Sequence, residues 1–214
     1  MGAVRATRPA QTAPRERAVL ERRARRLAWG GNAWHVIEFA IAVAAGVAAS
    51  SVALIGFGAD SLIEVFSGSV IAWRFSAGRG ASEDAERRAR RLIAISYFVL
   101  TVYIVVESLR DVIGGNHPQP SGIGIALAAV TAVSMPLLAR AKRRVGAKLG
   151  SRATTAEAEQ NQICAYLSLA LLIGLLANAL FGWWWADPAA ALVIALIAGN
   201  EGREAWTGDE PSCC

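Results

Sequence analysis

The chain has 214 residues, 54% of them hydrophobic and only 18% charged, with a mean hydropathy of +0.37 and a formal net charge of +5. Soluble proteins carry about 25% charged residues; here the charges cluster and leave long uncharged stretches, as suits a chain that passes from water into lipid and back. A pI near 9.6 raises nucleic-acid binding, but the basic residues flank apolar spans, which excludes it, and Cys164, Cys213 and Cys214 make neither a disulfide framework nor the paired spacing of a zinc ribbon.

Residues 1–28 hold eight arginines, two prolines (Pro9 and Pro14) and no apolar core of signal-peptide length. They read as a basic cytosolic arm whose last part, 18–29, continues the first span as an exposed helix. Crossing about 30 Å of hydrocarbon takes roughly 20 apolar residues in a helix. Six stretches reach or approach that length: 29–48, 51–73, 92–109, 122–139, 158–182 and 187–202. The expected fold is an all-α, six-helix transmembrane bundle over 29–206, with a short cytosolic tail at 207–214.

Local signals set the ends of these spans. A short turn at 49–51 separates the first two. Ser82 followed by Glu83, Asp84 and Glu86 predicts a helix start with acids near the positive end of its dipole. Pro136 should kink the fourth span. Thr154 and Glu157 have capping-box spacing, and Asp187-Pro188 offers an N-cap before a proline at the first helical position.

Orientation follows from the basic residues. The N-terminal arm, the connections between spans two and three and between four and five, and the C-terminal tail hold 21 of the 22 Lys and Arg residues; only Arg110 falls on the other side. That segregation requires an even number of crossings and places both termini in the cytoplasm. Trp183, Trp184 and Trp185 then mark an outer boundary, and Trp29, Trp73 and Trp206 mark inner ones.

Ionisable residues inside a span cost about 2.5–3.5 kcal/mol each on insertion scales, so they mark function or pairing. Span two carries Asp60 and Glu64, four apart and therefore on one helix face. At about 1.5 Å per residue they lie roughly 15 and 21 Å below Ser50. Two carboxylates at that depth repel unless a cation or a shared proton sits between them. They predict a cation site that exchanges metal for protons; the alternative is a pair that stays protonated or hydrogen-bonds neighbouring helices. Gly56, Gly58 and Gly68 flank the pair and would let another helix approach.

Gln160 and Cys164 in span five share a face by the same spacing, and an oxygen and a thiolate could complete four-coordination with the carboxylates. Alone, Cys164 is more simply a small packed hydrophobe. His35 and Glu38 in span one would line an inner vestibule or relay protons, with an interhelical hydrogen bond as the alternative. Glu107 is expected to pair locally with Arg110. Cys213 and Cys214 read as an idle tail.

The segment 51–74, SVALIGFGADSLIEVFSGSVIAWR, resembles the second transmembrane helix of the cation diffusion facilitator (cation efflux) family, whose members share two acids separated by three residues. Asp60 and Glu64 match that pair, and the resemblance runs from about Trp29 to Trp206. It implies proton-coupled efflux of a divalent metal by alternating access, with zinc first and iron, cobalt, manganese and cadmium open. The family's second ligand pair lies early in helix five, close to Gln160 and Cys164, where His or Asp with Asp is usual. Typical members also carry a cytoplasmic metal-sensing, dimerising domain; about a dozen residues follow the sixth span here, so the chain looks like a short member without that domain.

The resemblance implies a transporter in the plasma membrane rather than an enzyme, with no prosthetic group. Divalent metal ions, protons and the lipid bilayer are its partners, and a homodimer is left open. Two other readings stand beside it: a non-transporting metal-binding or assembly partner, and a passive cation channel.

Overall fold

The structure, a computed structural model, describes residues 14–76 and 83–207. They form six α-helices: α1 (Pro14–Ala49), α2 (Val52–Ser76), α3 (Glu83–Gly114), α4 (Gly122–Leu149), α5 (Arg152–Phe181) and α6 (Ala186–Thr207), with no strand among the described residues. The chain is all-α, as its composition and span lengths predict. At 36 residues, α1 is about 54 Å long, well beyond a hydrocarbon core of about 30 Å. Its overhang is the basic stretch 15–26, mostly exposed helix.

Arg15–Ala49, Arg91–Gly114, Gly122–Leu149 and Thr154–Phe181 are long and apolar enough to cross a bilayer on their own composition. The other two helices, α2 and α6, carry acids along their length, and neighbours shield them. α2 packs on α1, α3, α5 and α6, and the closest pairings in the bundle are α4 with α5, α3 with α6, and α1 with α2. Leu54, Phe57, Ile104, Met135, Leu167, Leu171, Leu175 and Ile194 fill the interior, whereas Val47, Val99, Val102, Leu180 and Leu196 point outward. An apolar face of that extent is tolerated in lipid and not in water. The protein is a multi-pass membrane protein.

Close approach around α2 depends on its glycines. A methyl added to Gly56 would lie 2.8 Å from Ile104 Cδ1 on α3, and one on Gly58 would lie 2.9 Å from Val43 Cγ2 on α1. Gly68 lies outside the residues whose surroundings are described. The turn at 49–51 forms as expected: Ser50 takes the left-handed conformation (φ 52°), and the Ser51 amide donates to the Gly46 carbonyl at 2.9 Å. Ser51 then caps α2, its Oγ accepting from the Leu54 amide at 3.1 Å.

Two expected helix starts need correction. Ser151, not Thr154, caps α5, its Oγ accepting from the Thr154 amide at 3.3 Å; a serine three residues earlier offers the same acceptor and lengthens the helix. Asp187 lies inside the first turn of α6, which begins at Ala186, because the 183–186 turn already receives those amides. The Asp187 carboxylate instead leaves its helix and accepts from Ser51 Oγ and, at 3.3 Å, from the Ala53 amide, capping α2 from outside. The Ser82 cap lies outside the described residues, as do Cys213 and Cys214, and α4 runs unbroken past Pro136.

The expected Glu107–Arg110 pair forms at 2.7 Å. Three of the seven tryptophans gather at the α5–α6 corner: Trp183 stacks on Trp185, and Trp184 stacks on His117 of the α3–α4 loop.

Candidate metal-binding site

Four helices converge on one buried polar centre. α1 supplies His35 and Glu38, α2 supplies Asp60, Ser61 and Glu64, α4 supplies Thr131, and α5 supplies Gln160, Asn161 and Cys164. His35, Glu38, Asp60, Glu64, Asn161 and Cys164 are all at most 5% exposed. Helical spacing explains the grouping: His35 and Glu38 lie three apart, Asp60 and Glu64 four apart, and Gln160 and Cys164 four apart, so each pair presents one face to the interior.

The two glutamates are held differently. Glu38 is saturated: Ser61 Oγ donates to its Oε2 at 2.9 Å, Thr131 Oγ1 donates to its Oε1, and His35 Nδ1 lies 3.1 Å from Oε2. Glu64 accepts one bond, from Gln160 Nε2 to Oε1 at 3.0 Å. Its Oε2 is 2.9 Å from His35 Nδ1, an ion-pair distance, but it lies off the N–H direction and receives no directed hydrogen bond. The far side of the imidazole is held as well, because Asn161 Nδ2 lies 3.3 Å from His35 Nε2.

His35, Glu64 and Cys164 each offer one ligand atom, and these atoms lie within 4.8 Å of one another. Asp60 is equally buried, and its Oδ2 has no partner. It faces the same centre, within electrostatic reach of His35, Glu64 and Cys164 and of Glu201 on α6. Of the four residues that the sequence suggests as ligands, Glu64, Gln160 and Cys164 are drawn together, and Asp60 lies one helical turn along α2.

Sequence reasoning missed Ser61, Thr131 and Asn161, whose side chains hold Glu38 and His35. It also counted Lys142 only as a cytoplasmic charge. In the structure Lys142 is buried and pairs with Glu157 of α5 at 3.1 Å. Asn161 carried the one usable signal, since it adjoins Gln160 and lies three residues before Cys164, within one polar helix start.

Residues 34–205 match the model of the cation efflux transmembrane domain. Among characterised proteins, the magnetosome protein MamB of Magnetospira sp. (strain QH-2) is 31% identical over 116 residues, covering 54% of this chain and 39% of MamB. Transmembrane protein 163 of Xenopus laevis is 22% identical over 149 residues, covering 69% of this chain and 53% of that protein. The chain thus spans about half or less of the length of these relatives.

Proposed function

The chain belongs to the cation efflux family, and on that premise we propose that it exports divalent metal cations across the plasma membrane in exchange for protons, by alternating access. One observation carries this reading: Glu64 and Asp60 are buried mid-bundle, each with a carboxylate oxygen that receives no hydrogen bond, beside the amide and thiol of α5. Carboxylates so placed are costly unless a cation or a proton neutralises them.

The metal site of this proposal comprises Asp60, Glu64, Gln160 and Cys164. Carboxylate, amide oxygen and thiolate together suit zinc, cobalt or cadmium better than magnesium or calcium; zinc is the first choice. Carboxylates and thiol must be deprotonated to bind metal, so protons arriving from outside compete for the same atoms and expel the ion. His35 stands on the proton path, its ring held by Glu38. Both termini face the cytoplasm, the side to which the basic residues segregate.

The test is zinc flux into proteoliposomes holding only this protein, native against Asp60→Ala. Flux by the native protein, reduced at least about tenfold in a correctly folded variant, supports the transporter; tenfold corresponds to about 1.4 kcal/mol. Absence of flux across zinc, cobalt, cadmium, manganese and iron would leave a metal-binding or assembly partner. Flux unaffected by the substitution would remove Asp60 from the site.

A further inference from the structure

His35 is the group on α1 that the four-residue ligand set leaves unused, and its position is that of a ligand. Its Nδ1 lies 2.9 Å from Glu64 Oε2, and His35, Glu64 and Cys164 each bring one ligand atom within 4.8 Å of the others. A tetrahedral zinc ion with bonds of about 2.0–2.1 Å to nitrogen and oxygen and about 2.3 Å to sulfur needs ligand atoms roughly 3.3–3.8 Å apart. Seating the ion therefore asks these side chains to move by about an ångström or less. Nitrogen, oxygen and sulfur here come from three different helices, and all three residues are at most 5% exposed.

Resting on the transporter reading, we infer that His35 coordinates the transported metal through Nδ1 together with Glu64 and Cys164, so that α1 takes part in the site. Gln160 holds Glu64 in place for this role, donating to its Oε1 at 3.0 Å. Two unsatisfied atoms support the assignment. Glu64 Oε2 is buried without a directed hydrogen bond beside the nitrogen with which it would share the ion.

Asn161 Oδ1 is also buried without a partner, while Asn161 Nδ2 lies against His35 Nε2. With a proton on Nδ1, which faces Glu38 and Glu64, Nε2 accepts that amide hydrogen. A metal at Nδ1 displaces that proton, and the other tautomer carries N–H at Nε2. Rotating the Asn161 amide by half a turn then presents Oδ1 to this N–H, in exchange for the contact of Nδ2 with Met135 Sδ at 3.3 Å. Ligating histidines are commonly oriented in this way by a partner on their second nitrogen. Glu38, saturated by Ser61 and Thr131, fixes the same edge of the ring.

The chain has only two histidines, His35 and His117, and His117 belongs to the outer α3–α4 loop, stacked on Trp184. X-ray absorption of zinc bound to tag-free His117→Ala protein therefore reports on His35 alone. The expected shell holds one imidazole and one sulfur, and adding His35→Ala removes the imidazole signature and weakens zinc binding at least about tenfold. Bound zinc whose shell lacks imidazole would overturn the role of His35 while leaving a metal site and the transporter intact. Folded protein that takes up none of zinc, cobalt, cadmium, manganese and iron would overturn both. Because the absorption measurement uses protein with His35 in place, a poorly folding His35 variant does not blunt it.

Discussion

Two glutamates on adjacent helices flank one imidazole, and their partners separate their roles. Glu38 is met by two hydroxyl donors and the ring, so it is a scaffold. Glu38→Gln turns one of its oxygens into a donor facing another donor, which should cost about 1–3 kcal/mol and lower the thermal midpoint in detergent; an unchanged midpoint would contradict the scaffold role. Glu64 Oε2 receives no directed hydrogen bond and lies 2.9 Å from His35 Nδ1. Glu64→Gln should keep the midpoint near that of the native protein and abolish metal binding, and titration of the purified variant with zinc measures this. A variant that binds as tightly as the native protein would contradict the assignment.

At this scale the sequence announced the acids and His35, because ionisable groups in apolar spans are rare. It hid Ser61 and Thr131, because hydroxyls in helices usually bond to the preceding turn, as Ser96 and Thr101 do here and as Ser61 also does to the Phe57 carbonyl at 3.2 Å. Only the packing of α1 against α2 and α4 turns Ser61 and Thr131 toward Glu38.

Among the elements, α2 is the one on which the site depends, and both of its neighbours in sequence or space hold its start. The turn before it places Ser50 at φ 52°, a conformation that costs a non-glycine residue roughly 1 kcal/mol. Ser50→Gly should therefore leave stability unchanged or raise it by a few tenths of a kcal/mol, the relief of strain being partly offset by the greater freedom of glycine in the unfolded chain; a clear fall in midpoint would contradict this. Asp187 reaches from α6 to the amide of Ala53 and to Ser51. Losing a cap of this kind costs about 0.5–2 kcal/mol, so Asp187→Ala should lower the midpoint accordingly, and an unchanged midpoint would show that the tie between α6 and α2 is not a stabilising one. The six helices were legible from span length and hydropathy. The two caps were not, since a serine three residues upstream of Thr154, and a carboxylate that serves another helix, follow from tertiary geometry rather than local spacing.

For the whole molecule, segregated charge and buried acids make one account. In the proposed topology the basic N-terminal arm and the basic connections after α2 and α4 share the cytoplasmic side. An epitope at either terminus should be digested by protease in inside-out vesicles and protected in sealed right-side-out ones; opposite protection of the two ends would mean an odd number of crossings. Identity of the transported ion was the least legible feature at this scale, because it depends on which side chains of three separate helices meet, not on the Asp60–Glu64 spacing alone.

Exchange of metal for protons at the buried site is what the transporter reading stands on. Its most direct measurement is zinc flux in proteoliposomes loaded with a pH-sensitive dye. The account predicts proton movement opposite to zinc, both lost together in Glu64→Gln. Zinc flux with no proton movement would contradict it and describe a passive channel.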